Sequence, residues 1–176
     1  MIRSILFFVC FALPYVHAET VVSVKEYLKT SIGEFPKLTK ETFELTPAQQ
    51  KELKAIAEQA TDTKFTFYFG KDDKGVLKKA CTAVPQAGKE GPMTVGVCFT
   101  PAGLVDRVTI LDYSEERGKP VKEEAFLSQF KGKKVSDSFQ VGNGIDAVSG
   151  ATHSSKSVSE AVRKSAYAFK NFVGKG

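Results

Sequence analysis

Apolar positions along the chain change period twice, and the changes mark out its elements. From Val21 to Ile32, "VVSVKEYLKTSI" brings Val24, Tyr27, Leu28 and Ile32 to one helical face, with Gly33 positioned to end it. After Phe35-Pro36, "ETFEL" alternates like an edge strand. Thr46-Pro47-Ala48-Gln49 then reads as a helix start: Thr46 at the cap, Pro47 at the first helical position, and Gln49 as capping-box partner. That helix is expected to run to about Gln59 and to bury Leu53, Ile56 and Ala57.

The middle of the chain alternates with the two-residue period of a strand. "KFTFYFG", "VLKKACTAV", "MTVGVCF" and "LVDRVTILDY" are joined by the turn "KDDKG", the Pro/Gly loop "PQAGKEGP" and the turn "TPAG". Successive extended runs on short connections predict a four-stranded antiparallel meander. Val95, Val97 and Phe99 share one face of it, so helices are expected to cover that side and leave the other partly solvated. Pro120 to Phe130 predicts a short helix with Val121, Ala125, Phe126 and Phe130 inward, ended at Gly132. The final segment, "SSKSVSEAVRKSAYAFKNFV", carries Val158, Ala161, Val162, Ala166, Phe169 and Phe172 or Val173 on one helical stripe. The fold class predicted is α+β: an antiparallel meander sheet with N-terminal helices and one long C-terminal helix packed on it.

The chain ahead of this pattern differs in character. "MIRSILFFVCFALPYVHA" has Arg3, an apolar run from Ile5 to Leu13, and small-residue character at Val16-His17-Ala18. Residues 1–18 are therefore expected to be a signal peptide, leaving 19–176 as a single domain, periplasmic or secreted. The apolar run is shorter than the roughly 20 residues of a membrane-spanning helix, which disfavours a retained anchor.

Composition narrows the chemistry. The net charge of +5 comes from basic residues scattered in pairs, such as Lys78-Lys79 and Lys133-Lys134, rather than from a stripe with interleaved aromatics. This describes a solvated surface and not a nucleic-acid interface. Beyond residue 18 only His153, Cys81 and Cys98 remain of the histidines and cysteines. No zinc cluster or CxxCH haem site can be assembled from them, and a Ser-His-Asp triad could form only around His153, so neither a metal site nor catalytic residues are expected. Cys81 and Cys98 fall nearly opposite on neighbouring strands. Either a disulfide or two small buried residues fits that placement, whereas a catalytic dithiol lacks the CxxC geometry.

Before the last helix stands "DAVSGATHSSKSV", residues 146–158. Gly150 and Ala151 are small, Ser149, Thr152, Ser154 and Ser155 supply hydroxyls, and a helix start offers unsatisfied N–H groups to an anion. Two readings follow from the residues: the hydroxyls cap the helix, or they hold a phosphate.

The run Asp146-Ala147-Val148-Ser149-Gly150-Ala151-Thr152 matches the D-x-x-[S/T]-G-A-T pattern and resembles the FMN-binding domain family. That family occurs in the G subunit of Rnf complexes, the C subunit of sodium-pumping NADH:quinone reductases, and exported single-domain flavoproteins. "GKEGPMTVGVCFTPAGLVDRVTIL" is similar to its Gly-Pro-initiated hairpin, and "SEERGKPV" with "FLSQFKGK" to the segment that approaches the flavin, so the resemblance runs from about Lys40 to the C-terminus. Where many relatives have E-T-P-G-L-G, this chain has Glu116-Arg117-Gly118-Lys119-Pro120. The resemblance implies FMN joined to Thr152 through a phosphoester, donated from FAD by an ApbE-type flavin transferase with Mg²⁺. Asp146, Ser149, Gly150 and Ala151 would be the recognition sequence, His153 and Ser155 would lie near the phosphate, and Glu116, Arg117, Gly118, Phe130 and Lys131 near the flavin.

The function expected on these grounds is an exported electron carrier between a membrane donor and a periplasmic reductase or other redox acceptor. The alternatives are a flavin-carrying subunit of an Rnf- or Nqr-like membrane complex, a small flavin-dependent reductase, and an adaptor without cofactor. A flavin brings its own redox reactivity, which suits a chain so poor in catalytic groups.

Overall fold

The computed structural model describes residues 19–114 and 119–174. The expected signal peptide and Glu116, Arg117 and Gly118 lie outside these described residues. In chain order the elements are β1 (Glu19–Thr20), α1 (Val24–Ile32), β2 (Lys37–Glu44), α2 (Pro47–Ile56), β3 (Lys64–Lys71), β4 (Leu77–Ala87), β5 (Pro92–Phe99), β6 (Val105–Tyr113), α3 (Glu124–Leu127), β7 (Gln140–Val141), β8 (Gly144–Ile145) and α4 (Thr152–Phe172). The α+β architecture is as the periodicity predicts, with the four-strand meander embedded in a six-stranded sheet of order β1-β6-β5-β4-β3-β2.

Local chemistry sets the turns and caps. Thr46 accepts from Gln49 N while the Gln49 side chain accepts from Thr46 N, so the capping box is present in both directions. In the β3–β4 turn, Asp72 Oδ1 accepts from Lys74 N and Val76 N at 3.0 and 2.8 Å, and Gly75 takes the positive φ of 82° that the turn demands.

The larger core lies between the sheet and α4. Phe99 and Phe169 pack with ring centroids 4.8 Å apart, and Phe43 stacks on Phe172 at 4.9 Å. Burial of Val158, Ala161, Val162, Ala166 and Phe169 confirms the stripe read from the sequence. Lys164, on the same helix, is also buried; its Nζ reaches Asp62 Oδ2 at 2.8 Å and Pro85 O at 2.7 Å, fixing α4 to β4 and the chain ahead of β3.

Two expectations are corrected and a third is refined. The second sheet face is partly solvated as expected, with Pro85 and Arg107 exposed, but part of it carries a helix that was not expected there: α1 covers it, with Tyr27, Ile32, Cys81, Cys98 and Leu111 forming a second cluster. Gly96 makes this possible, because a Cβ there would come within 2.6 Å of the Tyr27 ring. The α2 helix stops at Ile56, with Ala57 already extended, so Ile56 is 39% exposed while Leu53 and Ala57 are buried. Residues 119–130 form 3₁₀, α and 3₁₀ turns in succession rather than one helix, and the changed twist points Ala125 to solvent while Val121, Phe126 and Phe130 stay buried.

Cys81 and Cys98 pair directly across β4 and β5, and their sulfurs are bonded. Tyr27 Oη lies 3.2 Å from Thr82 O and 3.1 Å from Cys98 Sγ. Burial pushes the Tyr27 phenol far above its ordinary ionisation range, with the Arg107 charge opposing and the Asp106 charge adding.

Candidate functional site

The loop from Asp146 to Ala151 is held from two sides. Gln129 donates from Nε2 to Asp146 O at 3.3 Å and accepts from Asp146 N at 2.7 Å. At the other end, Ser155 Oγ donates to Ala151 O at 2.9 Å and accepts from Val148 N at 3.0 Å. Ala151 N closes the turn on Val148 O at 3.0 Å, and Gly150 takes φ 74° between them, with open space where a Cβ would stand. Only a residue tolerant of the left-handed region fits there without strain.

The turn delivers the chain into α4 in an unusual way. Ala151 is the N-cap, and no side chain caps the helix. Alanine is a poor cap, worth about 1 kcal/mol less than Ser, Thr, Asp or Asn. The hydroxyls that the sequence places there are not spent on capping: Ser155 is buried and faces back into the loop, while Ser149 and Thr152 are exposed. Ser155 N makes the turn's bond to Ala151 O at 2.9 Å, leaving the amides of Thr152 and His153 to other partners. Thr152 thus stands exposed as the first residue of a 21-residue helix, at the positive end of its dipole.

The other expected residues divide. Asp146, Gly150 and His153 are exposed around Thr152 in sequence, and Ala151 is buried at 5% exposure, its methyl turned into the core. Lys131 is exposed. Phe130 is fully buried between Phe126 and Phe139, so its ring belongs to the core and offers no surface to a cofactor. Ser155 positions the loop rather than presenting a free hydroxyl. Gln129 is not marked out by any sequence pattern, although it lies in "FLSQFKGK", the run that carries part of the resemblance.

Beside this site the outer face of α4 forms the floor of an open groove of about 880 Å³, walled by the end of α2 and by residues 135–141. Tyr167, in this groove, ties the two helices together by donating to Glu52 Oε2 at 2.8 Å or Gln49 O at 3.2 Å. Burial, then the hydrogen bond and charge of Glu52, push its phenol up to about 12.

Comparison with known proteins agrees with this geometry. The sequence profile of the FMN-binding domain matches residues 88–166, from the hairpin of β4 and β5 into α4. This is shorter than the resemblance from Lys40 onward that the motifs suggest. The fold is similar to the crystal structure of Shewanella oneidensis NqrC, with 19% identity, TM-score 0.60, and coverage of 80% of this chain and 84% of that one. It is also similar to the C subunit of the Na(+)-translocating NADH-quinone reductase from Parabacteroides distasonis, with 20% identity, TM-score 0.57, and coverage of 88% and 86%. None of the curated proteins is significantly similar in sequence. The stretch that matches the FMN-binding domain, residues 88–166, holds β5, β6, the Asp146–Thr152 motif and most of α4.

Proposed function

We propose that the chain is an exported flavoprotein that carries FMN on Thr152 through a phosphoester and relays electrons from a membrane donor to a periplasmic reductase or other acceptor. The matched family and the shared fold support the coarser statement, a flavin-carrying electron-transfer protein. The observation that carries the finer one is the uncapped start of α4 with Thr152 exposed at its first position.

The residues present fit a phosphate-tethered group. Gly150 leaves open space beside the attachment hydroxyl, Ala151 keeps the backbone within reach, and the free end of the helix favours the negative charge of a phosphodiester. A flavin transferase would join the Thr152 hydroxyl oxygen to the FMN phosphorus of FAD, with AMP as leaving group and the hydroxyl proton lost to solvent. When bound, the flavin supplies one- and two-electron redox chemistry. The chain holds the phosphate at the helix start, fixes the loop through Gln129 and Ser155, and retains the cofactor by a covalent bond.

Mass spectrometry of Thr152-containing peptides, from cells that also express the transferase, tests the reading. An FMN-sized adduct that disappears in Thr152→Val is expected; no adduct, or one that persists elsewhere in that variant, overturns it. The similarity to two NqrC structures favours a second reading, a subunit of a membrane electron-transfer complex. That reading requires residues 1–18 to stay on the mature protein, and N-terminal sequencing separates the two.

A further inference from the structure

We propose that two copies of this chain pair edge to edge through β2, antiparallel about a two-fold axis at Thr42, so that their sheets join into one. The joint is remote from the attachment residue. Phe43 of β2 stacks on Phe172, at the end of α4 opposite Thr152 and about 30 Å from it along the helix.

β2 ends the sheet order, and its pairing with β3 runs from Lys37 to Glu44 without a shift of register. The ladder continues to Leu45, whose N–H donates to Thr63 O at 2.8 Å. Residues along an antiparallel ladder alternate between exchanging such bonds with the partner strand and turning N–H and C=O away from it. Stepping back from Leu45, the residues Phe43, Glu41, Thr39 and Lys37 bond to β3, while Glu44, Thr42, Lys40 and Leu38 face the free edge. Among the described residues nothing bonds to the outward backbone groups of those four. A bulge or an internal proline would blunt such an edge, and β2 has neither. At the other edge of the sheet, β1 is only two residues long.

Charges can also blunt an edge, and in β2 their order decides what the edge accepts. A two-fold axis perpendicular to the sheet sets one residue opposite its own copy. An axis at Lys40 or Glu41 opposes like charges. An axis at Thr42 sets Thr42 against Thr42 and Lys40 against Glu44 of the second copy, the latter twice by symmetry, and every outward N–H and C=O of Lys40, Thr42 and Glu44 then has a partner. An axis at Thr39 pairs Lys37 with Glu41, but it brings Pro36, which has no N–H, opposite Thr42, and Lys37 already donates to Asp73 O at 2.6 Å. The Thr42 register also extends rows already present: Glu44 lies 3.5 Å from Lys64, Thr42 and Thr66 share a hydroxyl bond of 2.9 Å, and Lys40 stands over the Tyr68 ring. Opposite charges and paired threonines across strands both stabilise a sheet. Because such an axis preserves the sheet faces, both α4 helices lie on the same side of the joined sheet.

The joint is small, so a weak dimer is expected, formed at high protein concentration. Sedimentation velocity of the purified protein, up to about millimolar concentration, should show a monomer–dimer equilibrium that added salt weakens. Lys40→Glu and Glu44→Lys, each alone, should raise the dimer dissociation constant about tenfold or more, because each sets two like-charge contacts across the axis. Lys40→Glu combined with Glu44→Lys should return it to near the wild-type value, since these two positions face each other only in the Thr42 register. Thr42→Pro removes an N–H that β3 does not use, and should abolish the dimer while leaving the urea midpoint near wild type. A monomer throughout overturns the proposal, as does a dimer indifferent to Thr42→Pro and to the charge reversals. Single reversals that dissociate the dimer without rescue in the double variant overturn the axis at Thr42. If Thr42→Pro fails to fold, the charge reversals and their rescue decide alone.

Discussion

Ser155 and Val148 are joined across the turn that leads into α4: the Ser155 hydroxyl accepts from Val148 N at 3.0 Å while donating to Ala151 O at 2.9 Å. One side chain therefore fixes both ends of the Val148–Ala151 turn. Ser155→Ala leaves a partly buried amide unpaired and should cost about 1–3 kcal/mol in urea unfolding. Gln129→Ala removes the other support, at Asp146, and should cost less because its partners are exposed. On the proposed function, both variants should also lower the yield of FMN adduct, read as the ratio of modified to unmodified Thr152 peptide.

The Lys164–Asp62 pair is buried on both sides, at 3% and 10% side-chain exposure. Lys164→Ala abandons the Asp62 carboxylate and Pro85 O together, and should destabilise the protein by about 3–5 kcal/mol, the range for breaking a buried pair. Lys64→Ala is the contrast. Its partner Glu44 is 70% exposed, and the loss should be below about 1 kcal/mol on the same urea curve.

The bridge between Cys81 and Cys98 closes a loop of 17 residues in sequence. In the chain-entropy account, Cys81→Ser with Cys98→Ser should lower stability by about 3 kcal/mol, read as a lower denaturant midpoint. Denatured, unreduced protein lacking residues 1–18 should titrate no free thiol; two thiols would show the cysteines unpaired.

Alkaline stability should depend on Tyr27. Its pKa is raised in the folded state by burial, so its contribution is full below the unfolded value of about 10 and is lost as pH rises above it. Thermal unfolding followed from pH 8 to 11 should show a falling midpoint above about pH 10. Tyr27→Phe should flatten that fall while lowering the midpoint at neutral pH through loss of the bond to Thr82 O. Tyr167, pushed up to about 12, acts in the same sense, so a residual slope should persist in the variant.

How much of this is legible in the sequence depends on the separation of the partners. The capping box, the hairpin turns and the α4 stripe are set by residues a few positions apart, and the periodicity shows them. Gln129 to Asp146 spans 17 residues and Lys164 to Asp62 spans 102; no local pattern marks either pair. The partial cover of the second sheet face has a signal that alternation alone understates. In β5, Gly96 and Cys98 alternate with Val95 and Val97, and small residues on the partly wet face leave room for a packed helix. Ile56 departs from its expected burial because α2 ends one turn early, which periodicity does not report. The motif marks Thr152, but the residues alone leave it between a cap and an attachment point. The structure puts Ala151 at the cap, so Thr152 does not cap the helix, and attachment is the role proposed for it.

That α4 begins at Thr152 and is bolted to the sheet by Lys164 has a mechanical consequence. On the proposed attachment, the anchor of the cofactor would move only as the whole body tumbles, and the only arm would be the cofactor's own ribityl phosphate chain. The distance over which an electron must hop would then be set by how the protein docks and how far it can turn. Rates of relay should respond to viscosity and to the orientation of the complex more than to loop dynamics.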